Sequence, residues 1–263
     1  MTTSRIQKAE LLRSLHVPGD PLIVTNVWDA VTARTVAAAP GVKALATASH
    51  AISFAHGVPD GEGLSLAAAL DAARVVIDAT DLPVSVDFEK GYSTDGSRLA
   101  ENTHALIEVG AAGLNLEDSV GPPKAPQFEI EDAAARVAAV RGAAEEAGVP
   151  LVINARVDTL AGGGEWDEAM TRANEYLAAG ADVIFMLGLG DEDKVKRALD
   201  EIDGKVSVIS NPSSVPLKRL AELGVSRVSF GPGTMGLTLA HLEAAATQLT
   251  ALGDYPAELG FKY

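Results

Sequence analysis

Short apolar runs alternate with Ala- and Leu-rich stretches along the whole 263-residue chain. The runs are nearly continuous in apolar side chains, as in buried parallel strands, and the stretches between them are long enough for helices. This pattern predicts eight strands at 22–27, 44–49, 83–88, 113–117, 151–156, 182–187, 206–210 and 227–230. The repeated alternation favours a (β/α)₈ barrel. A doubly wound open sheet is the second candidate, because alternation alone does not close a barrel.

Helices are predicted between these strands, at 29–39, 65–80, 95–109, 131–147, 166–179, 191–202, 216–223 and 234–252. A further helix at 4–15 precedes the first strand, where it can cap the bottom of a barrel. The connection after the second strand is expected to be long and polar. No linker, low-complexity tract or change of composition interrupts the pattern, so residues 1–263 are predicted to form a single barrel domain.

Charge and cysteine content exclude several kinds of binding partner and several kinds of site. The chain has 36 Asp and Glu against 21 Lys and Arg, a formal net charge of −15, so neither nucleic acid nor an anionic membrane is expected as a partner. It has no cysteine, which excludes disulfides, thiolate metal sites and cysteine nucleophiles. No signal peptide is recognised and no apolar run reaches the roughly 20 residues of a membrane span. We therefore expect a cytoplasmic protein.

Acidic side chains follow two neighbouring predicted strands where those strands end. Asp87 and Glu89 follow the third strand, and Glu117 ends the fourth. In a barrel the carboxyl ends of the strands meet at one mouth, so these carboxylates should share a space. Carboxylates that close repel one another unless a cation lies among them, and a hard ion such as Mg²⁺, or Mn²⁺, suits oxygen ligands. The alternative for any single acid is an ordinary solvated residue that caps a helix.

Arg156 ends the fifth strand at the same mouth and can hold a carboxylate through two parallel hydrogen bonds. A metal ion and one arginine together suit a 2-oxo acid, whose carbonyl the ion polarises toward an enolate. Arg156 could instead only stabilise the mouth by pairing with Asp158. Ser49 and the backbone at His50 are candidate donors to a substrate carboxylate, and His50 is also an acid–base candidate. Asn211 follows the seventh strand and is a further candidate for substrate binding.

Other catalytic motifs are absent or misplaced. The chain contains no Gly-x-Ser-x-Gly, His-Glu-x-x-His or P-loop sequence. Residues 231–236 read Gly-Pro-Gly-Thr-Met-Gly, but no strand is predicted after them, so a dinucleotide site is not expected. At the mouth after the eighth strand this segment could still bind phosphate.

Several segments together resemble the isocitrate lyase/phosphoenolpyruvate mutase superfamily. They are Asn26–Ala30, Ser49–Asp60, Val86–Tyr92, Leu116–Asp118 and Asn154–Asp158. The resemblance implies a (β/α)₈ barrel whose last helix is exchanged between subunits of a homodimer or homotetramer. It also implies a Mg²⁺ ion held, mostly through water, by the carboxylates of Asp87, Glu89 and Glu117.

The resemblance also implies substrate contacts. Arg156 and the backbone at Ser49 and His50 would hold the substrate carboxylate, with Trp28 and Asp60 lining the site, Asp60 as a candidate catalytic group. Members of the superfamily form or cleave C–C or P–C bonds of 2-oxo acids through an enolate. The expected partner is thus a small 2-oxo or 2-hydroxy carboxylate.

One segment departs from the superfamily pattern. Lyases of this kind carry Lys-Lys-Cys-Gly-His on the loop after the fourth strand, whereas this loop reads Ser-Val-Gly-Pro-Pro-Lys-Ala-Pro at 119–126. Lys124 is its candidate for the catalytic lysine that phosphonomutases require. Three functions stay open: a Mg²⁺-dependent lyase-type enzyme, a phosphonopyruvate-type mutase or hydrolase, and a 2-oxo acid binding protein without catalysis.

Overall fold

The computed structural model describes residues 2–121 and 126–255, with side chains from residue 5 onward. Within these ranges the chain forms nine strands, all paired in parallel in one sheet. The strands are β1 (Leu22–Val24), β2 (Asn26–Val27), β3 (Leu45–Thr47), β4 (Val84–Asp87), β5 (Gly113–Leu116), β6 (Val152–Val157), β7 (Val183–Met186), β8 (Val206–Ile209) and β9 (Arg227–Ser229).

The sheet closes on itself through its first chain segment. β1 pairs with β9, with Ile23 opposite Val228, while β2, only one residue further along the chain, pairs with β3. The predicted single strand at 22–27 therefore occupies one position in the barrel, and the nine short strands make up eight positions. This pairing confirms the (β/α)₈ barrel and excludes the open sheet.

Ten helices accompany the strands in the described ranges. They are α1 (Thr2–Ser14), α2 (Ala30–Ala37), α3 (Ser49–Ala55), α4 (Leu66–Ile77), α5 (Gly96–Val109), α6 (Ile130–Glu146), α7 (Trp166–Ala178), α8 (Glu192–Glu201), α9 (Leu217–Leu223) and α10 (Gly233–Thr250). Side-chain caps fix several of the starts: Asp95 accepts from the Arg98 N–H at 2.8 Å and Asp191 from the Lys194 N–H at 2.9 Å. None of the described helices is long and apolar enough to cross a membrane.

Helix α3 corrects one prediction. The sequence predicted a strand as far as Ser49 and a polar connection after it, but the strand ends at Thr47 and a two-turn helix begins at Ser49. The helix buries Ala51 and Ile52, which a purely polar connection would not do. Ser49 and His50 thus lie on the first turn of a helix at the barrel mouth.

Helix α1 closes the bottom of the barrel, as predicted. Leu12 is fully buried and packs with Leu22, Ala44 and Val152, which lie at or next to the starts of strands. Gly113 leaves room for it, because a Cβ atom there would lie 2.8 Å from a methyl group of Leu12. The barrel wall around this end is apolar.

The barrel interior also holds a buried arginine. Arg227, at the start of β9, is 1% exposed and donates to Ser85 Oγ at 3.2 Å and to Asn115 Oδ1 at 3.4 Å. Asn115 Oδ1 also accepts from Asn154 Nδ2 at 2.7 Å. With its oxygen occupied by two donors, the amide of Asn115 has its nitrogen directed toward Asp87 Oδ1, 3.4 Å away.

Candidate active site

A cavity of about 200 Å³ opens at the carboxyl ends of the strands. Asp87 and Arg156 line it, as do Ser49 and Asn115, and the rest of its wall includes apolar side chains such as Phe185, Leu187 and Ile209. This is the end at which barrels carry their active sites.

A larger cavity, of about 540 Å³, lies beside α1 and α6. Its two arginines, Arg13 and Arg141, both pair with Asp182, at 3.1 and 2.6 Å. These ion pairs join α1 and α6 to the residue before β7, so the arginines of that cavity are already paired.

Asp87 is the predicted metal ligand whose carboxylate faces the cavity. It is the last residue of β4 and its N–H donates to Thr47 Oγ1 at 2.8 Å, which ties it to the end of β3. Its Oδ2 accepts the Ser49 N–H at 2.9 Å. The Ser49 N–H was predicted to bind substrate, but here it orients Asp87. The next N–H groups of α3 lie on a first helical turn, where backbone donors lack intrahelical partners.

Glu89 lies in a tightly constrained turn next to Asp87. Its backbone has φ of 51°, a left-handed conformation that costs energy for a residue with a side chain. Its carboxylate accepts from the Glu62 N–H and from the Tyr92 hydroxyl at 3.2 Å, which holds the turn. Burial, and then the charge of Asp87, raise the pKa of Glu89 to about 7. This carboxyl group therefore carries unfavourable negative charge that a cation would relieve.

Glu117 and Arg156 form a buried ion pair at the ends of β5 and β6. Burial raises the pKa of Glu117 well above its ordinary value although Arg156 opposes the shift. Arg156 also binds Asp158 through two bonds, Nε to Oδ1 at 2.5 Å and Nη2 to Oδ2 at 2.9 Å. Burial opposes the charge of Arg156, but the carboxylates of Glu117 and Asp158 raise its pKa above the ordinary value.

The start of the loop after β5 is hydrogen-bonded to Asp158, the residue that also binds Arg156. The hydroxyl of Ser119 donates to Asp158 Oδ2 at 2.7 Å, and the Asp158 N–H donates to Asp118 Oδ1 at 3.1 Å. Asp118 in turn accepts from Gln127 at 2.8 Å and from the Tyr176 hydroxyl at 2.9 Å. The two ends of the loop are therefore held in fixed positions beside Arg156.

The three predicted metal ligands are neighbours, but they do not form a ready-made ligand shell. The charge of Asp87 acts on both Glu89 and Glu117. Yet no group of three or more His, Asp or Glu side chains close enough to share an ion is found in the part of the chain that the structure describes. The donor set is all oxygen, which fits Mg²⁺ or Mn²⁺. Such an ion would be bound by Asp87 and would reach Glu89 and Glu117 through water.

Two other predicted residues line the cavity as a pair. His50 Nδ1 lies 3.4 Å from Asp60 Oδ2, and both residues form part of the cavity wall. Asp60 comes from the loop between α3 and α4. These two residues therefore lie with Asp87 and Arg156 around one space.

Five predicted site residues do not line the cavity or cannot be placed. Two of them are Glu89 and Glu117, which lie next to Asp87 and Arg156 but outside the cavity wall. Trp28 packs against Ala48, Ala51 and Met235 beside it. Asn211 is exposed, and its side-chain oxygen accepts from the N–H and hydroxyl of Ser213 at 2.9 and 2.7 Å, so it builds its own turn. Lys124 lies outside the described residues.

Comparison with known proteins gives the family. The sequence matches the phosphoenolpyruvate phosphomutase family over residues 12–250. The chain belongs to this family. It is 37% identical to a protein of Burkholderia cenocepacia J2315 that is provisionally named a phosphonomutase, with a TM-score of 0.87 over 93% of this chain and 99% of that one.

Curated relatives of this phosphomutase-family chain catalyse different reactions. The 2-methylisocitrate lyase of Escherichia coli K12 is 30% identical over 66% of this chain, but the match spans only 60% of that enzyme, less than two thirds of its length. The phosphoenolpyruvate phosphomutase of Streptomyces hygroscopicus is 28% identical over 97% of this chain and 84% of that enzyme. The family thus contains lyases and mutases of small carboxylates, and membership alone does not select between them.

Proposed function

We propose that this chain is a Mg²⁺-dependent lyase-type enzyme that cleaves or decarboxylates a small 2-oxo or 2-hydroxy carboxylate through an enolate. The observation that supports this most is the shared cavity, which an oriented carboxylate, Asp87, and an arginine, Arg156, line together with the apolar side chains of Phe185, Leu187 and Ile209. This is a suitable arrangement for a ligand with one charged end and one uncharged end.

In this proposal Arg156 binds the substrate carboxylate. Three of its N–H groups are used by Glu117 and Asp158, and a guanidinium has five. The two that remain can bind one carboxylate, while Glu117 and Asp158 prevent the side chain from rotating away. An arginine fixed in this way needs no reorganisation when the substrate arrives.

Asn115 is a neutral donor for the oxygen on which negative charge develops. Arg227 and Asn154 occupy its oxygen, so its NH₂ group faces Asp87 and the cavity. Mg²⁺, when bound by Asp87, would supply polarisation of the substrate carbonyl. Asn115 would stabilise the same oxygen from the interior of the barrel.

The apolar wall and the size of the cavity favour a small substrate. About 200 Å³ is below the usual range of roughly 300–1,000 Å³ for ligand pockets. A carboxylate pressed against Phe185, Leu187 and Ile209 would be desolvated without a partner. The wall therefore excludes water from the reacting carbon and suits the uncharged end of the substrate.

Turnover tests this proposal directly. Oxaloacetate and a series of 2-hydroxy and 2-oxo acids should be consumed in the presence of Mg²⁺. EDTA should abolish the activity, and added Mg²⁺ or Mn²⁺ should restore it. Turnover that continues unchanged without metal would contradict the proposal.

A phosphonopyruvate-type mutase or hydrolase is the second candidate. The family match and the Streptomyces hygroscopicus relative favour it, as does the position of Gly231 and Pro232 in the cavity wall, where backbone groups could face an anion. Phosphonopyruvate and oxaloacetate, compared at equal concentration, separate the two. A third possibility, binding without catalysis, predicts Mg²⁺-dependent binding of 2-oxo acids without turnover of any of them.

We also propose a cytoplasmic homodimer or homotetramer in which α10 packs on a neighbouring subunit. Beyond Met235 this helix is exposed almost throughout, with Leu237 at 74% and Leu242 at 62% exposure. Apolar side chains in such an arrangement are typical of a subunit contact. Light scattering should give a dimer or tetramer, and Leu237→Lys with Leu242→Lys should shift it toward monomer. A monomeric wild-type protein would contradict this part of the proposal.

A further inference from the structure

His50 and Asp60 place an imidazole and a carboxylate side by side at the cavity wall, within ion-pair distance of each other. The two residues come from different elements and meet at the cavity wall, with Nδ1 of the imidazole 3.4 Å from the Asp60 carboxylate. A carboxylate at Nδ1 selects the imidazole tautomer that carries its hydrogen there. This leaves Nε2 free to exchange a proton with a ligand.

In the described part of the chain, the carboxylate of Asp60 does not make the hydrogen bonds expected of an aspartate that builds a turn. Its second oxygen, Oδ1, is buried and has no hydrogen-bond partner among the described residues. An aspartate that only builds a turn accepts from nearby backbone N–H groups, and no such bond is found here. What Asp60 does contact is His50, whose side chain is 54% exposed and therefore accessible from the cavity opening.

Compared with the other groups that line this cavity, His50 is the one best suited to transfer a proton. Among the described residues it is the imidazole in the wall, and imidazole exchanges protons most readily near neutral pH. The charged groups that share the space are Asp60, Asp87 from β4 and Arg156 from β6. Asp87 is held by the Ser49 N–H, and Arg156 is held by its two carboxylates. The chain has no cysteine that could serve instead.

We propose that His50, oriented by Asp60, transfers the proton at the third carbon of the 2-oxo acid, next to the carbonyl. This inference rests on the proposed function. After bond cleavage His50 acts in its protonated form, with a hydrogen on each ring nitrogen, and the electron pair of the enolate C=C bond forms a new C–H bond with the proton on Nε2. The enolate oxygen returns to a carbonyl, the N–H electron pair stays on the imidazole, and water then returns a proton to it. In the reverse direction neutral His50 removes that proton. Asp60 is a positioning residue.

Exchange of the methyl hydrogens of pyruvate for deuterium, followed by proton NMR in D₂O with Mg²⁺, tests this step. Oxalate binding, measured by calorimetry on the same samples, reports the carboxylate site separately. His50→Asn keeps an amide nitrogen at the position of Nδ1 but cannot transfer a proton. We expect its exchange rate to fall by at least about 100-fold, with oxalate affinity within a few-fold of wild type.

His56→Asn is the matched control. His56 lies at the end of the same helix, and its Nδ1 is bonded to the Ile52 carbonyl at 2.8 Å, away from the cavity wall. This variant should exchange pyruvate hydrogens at the wild-type rate. Asp60→Asn should slow exchange less than His50→Asn does. Oxalate affinity of Asp60→Asn should stay within a few-fold of wild type, so that the loss falls on proton transfer and not on the carboxylate site.

The outcomes separate the two proposals. Wild-type exchange in His50→Asn, with oxalate still bound, overturns the role of His50 and leaves the proposed function standing. Wild-type protein that binds oxalate but exchanges no hydrogens also overturns it. If wild-type protein neither binds oxalate nor exchanges hydrogens, the proposed function itself is wrong.

Discussion

Arg156 and Arg227 are both buried in the barrel, but their surroundings are opposite. At the mouth, Arg156 contacts two carboxylates. In the interior, Arg227 contacts only neutral groups, Ser85 and Asn115, and its Nε has no partner among the described residues. Burial lowers the pKa of Arg227 to about 10, whereas its carboxylate partners raise the pKa of Arg156.

The difference between the two arginines shows that negative charge is concentrated at the mouth of the barrel and positive charge in its interior. The mouth has an excess of carboxylates, of which Glu89 and Glu117 are held with raised pKa values. In the interior, the hydrogen-bond partners of Arg227 among the described residues are neutral, and the negative charge that acts on it is that of Asp87, on the other side of Asn115. Asn115 connects the two regions, because it accepts from Arg227 and donates to Asp87. A metal at the mouth would therefore balance charge that the protein alone leaves unbalanced.

Removing the arginine at the mouth should have the largest effect. Arg156→Met deprives Glu117 and Asp158 of their common partner, and it removes the group proposed to bind the substrate carboxylate. We expect kcat/KM to fall by about 100- to 1,000-fold and the free energy of unfolding to fall by about 3–5 kcal/mol. Steady-state kinetics and urea unfolding measure the two effects. Arg98→Met, which alters an exposed pair with Glu101, should change neither.

Removing a carboxylate at the mouth should weaken metal binding but leave the metal-free fold intact. Asp87→Asn relieves repulsion with Glu89 and Glu117, and its oxygen can still accept the Ser49 N–H. We expect Mg²⁺ affinity to fall by about 10- to 100-fold, and the rise in melting temperature on adding Mg²⁺ to shrink accordingly. Asp95→Asn, which keeps a helix cap, is the control. A wild-type Mg²⁺ effect in Asp87→Asn would place the ion elsewhere.

His16, at the base of the barrel, should make the protein less stable in acid. Burial, and then the charge of Arg227, lower the pKa of His16 to about 3. Between that value and about 6.5 the unfolded chain binds the proton and the folded chain does not, so stability falls as pH falls through this window. His16→Asn can still donate to the Leu12 carbonyl but does not titrate.

The wild-type protein should therefore lose stability relative to His16→Asn below about pH 6.5, with a slope that approaches about 1.4 kcal/mol per pH unit. Urea unfolding of both proteins at pH 7.5 and 5 measures the difference. Equal losses in the two proteins would mean that His16 does not titrate on unfolding.

Removing the interior arginine should have the smallest effect on stability. Arg227→Met removes a cation that has no carboxylate partner, so the lost hydrogen bonds are offset by relief of its desolvation. We expect the free energy of unfolding to stay within about 1–2 kcal/mol of wild type. A loss as large as that of Arg156→Met in urea unfolding would contradict the contrast between the two residues.

The sequence predicted the barrel well because buried parallel strands appear in it as short apolar runs. Runs such as 151–153 and 183–186 are buried and wholly apolar. The predicted helices lie within a few residues of the observed ones. Helix α3 was missed because Ser49, His50 and Ser53 gave its short sequence a polar, loop-like composition. Its burial depends on contacts with residues distant in the sequence, including Met235.

The sequence pointed to several charged residues of the candidate site and to Ser49, but not to Asn115 or to the apolar part of the wall. Asp87 and Arg156 attract attention because a charge at a strand end needs an explanation, whereas Asp60 was expected in the site only from the family resemblance. Asn115 lies inside an apolar strand, and only the tertiary contacts with Arg227 and Asn154 reveal its orientation. Phe185 and Ile209 look like any core residue until the cavity shows which wall they form.

A crystal structure with Mn²⁺ and oxalate tests the central claim most directly, since anomalous scattering locates the metal without ambiguity. The account predicts manganese bound to Asp87, with waters between the ion and both Glu89 and Glu117. It predicts that oxalate joins the ion to Arg156, with Asn115 donating to one of its oxygens. Manganese away from Asp87, or oxalate that does not contact Arg156, would contradict it.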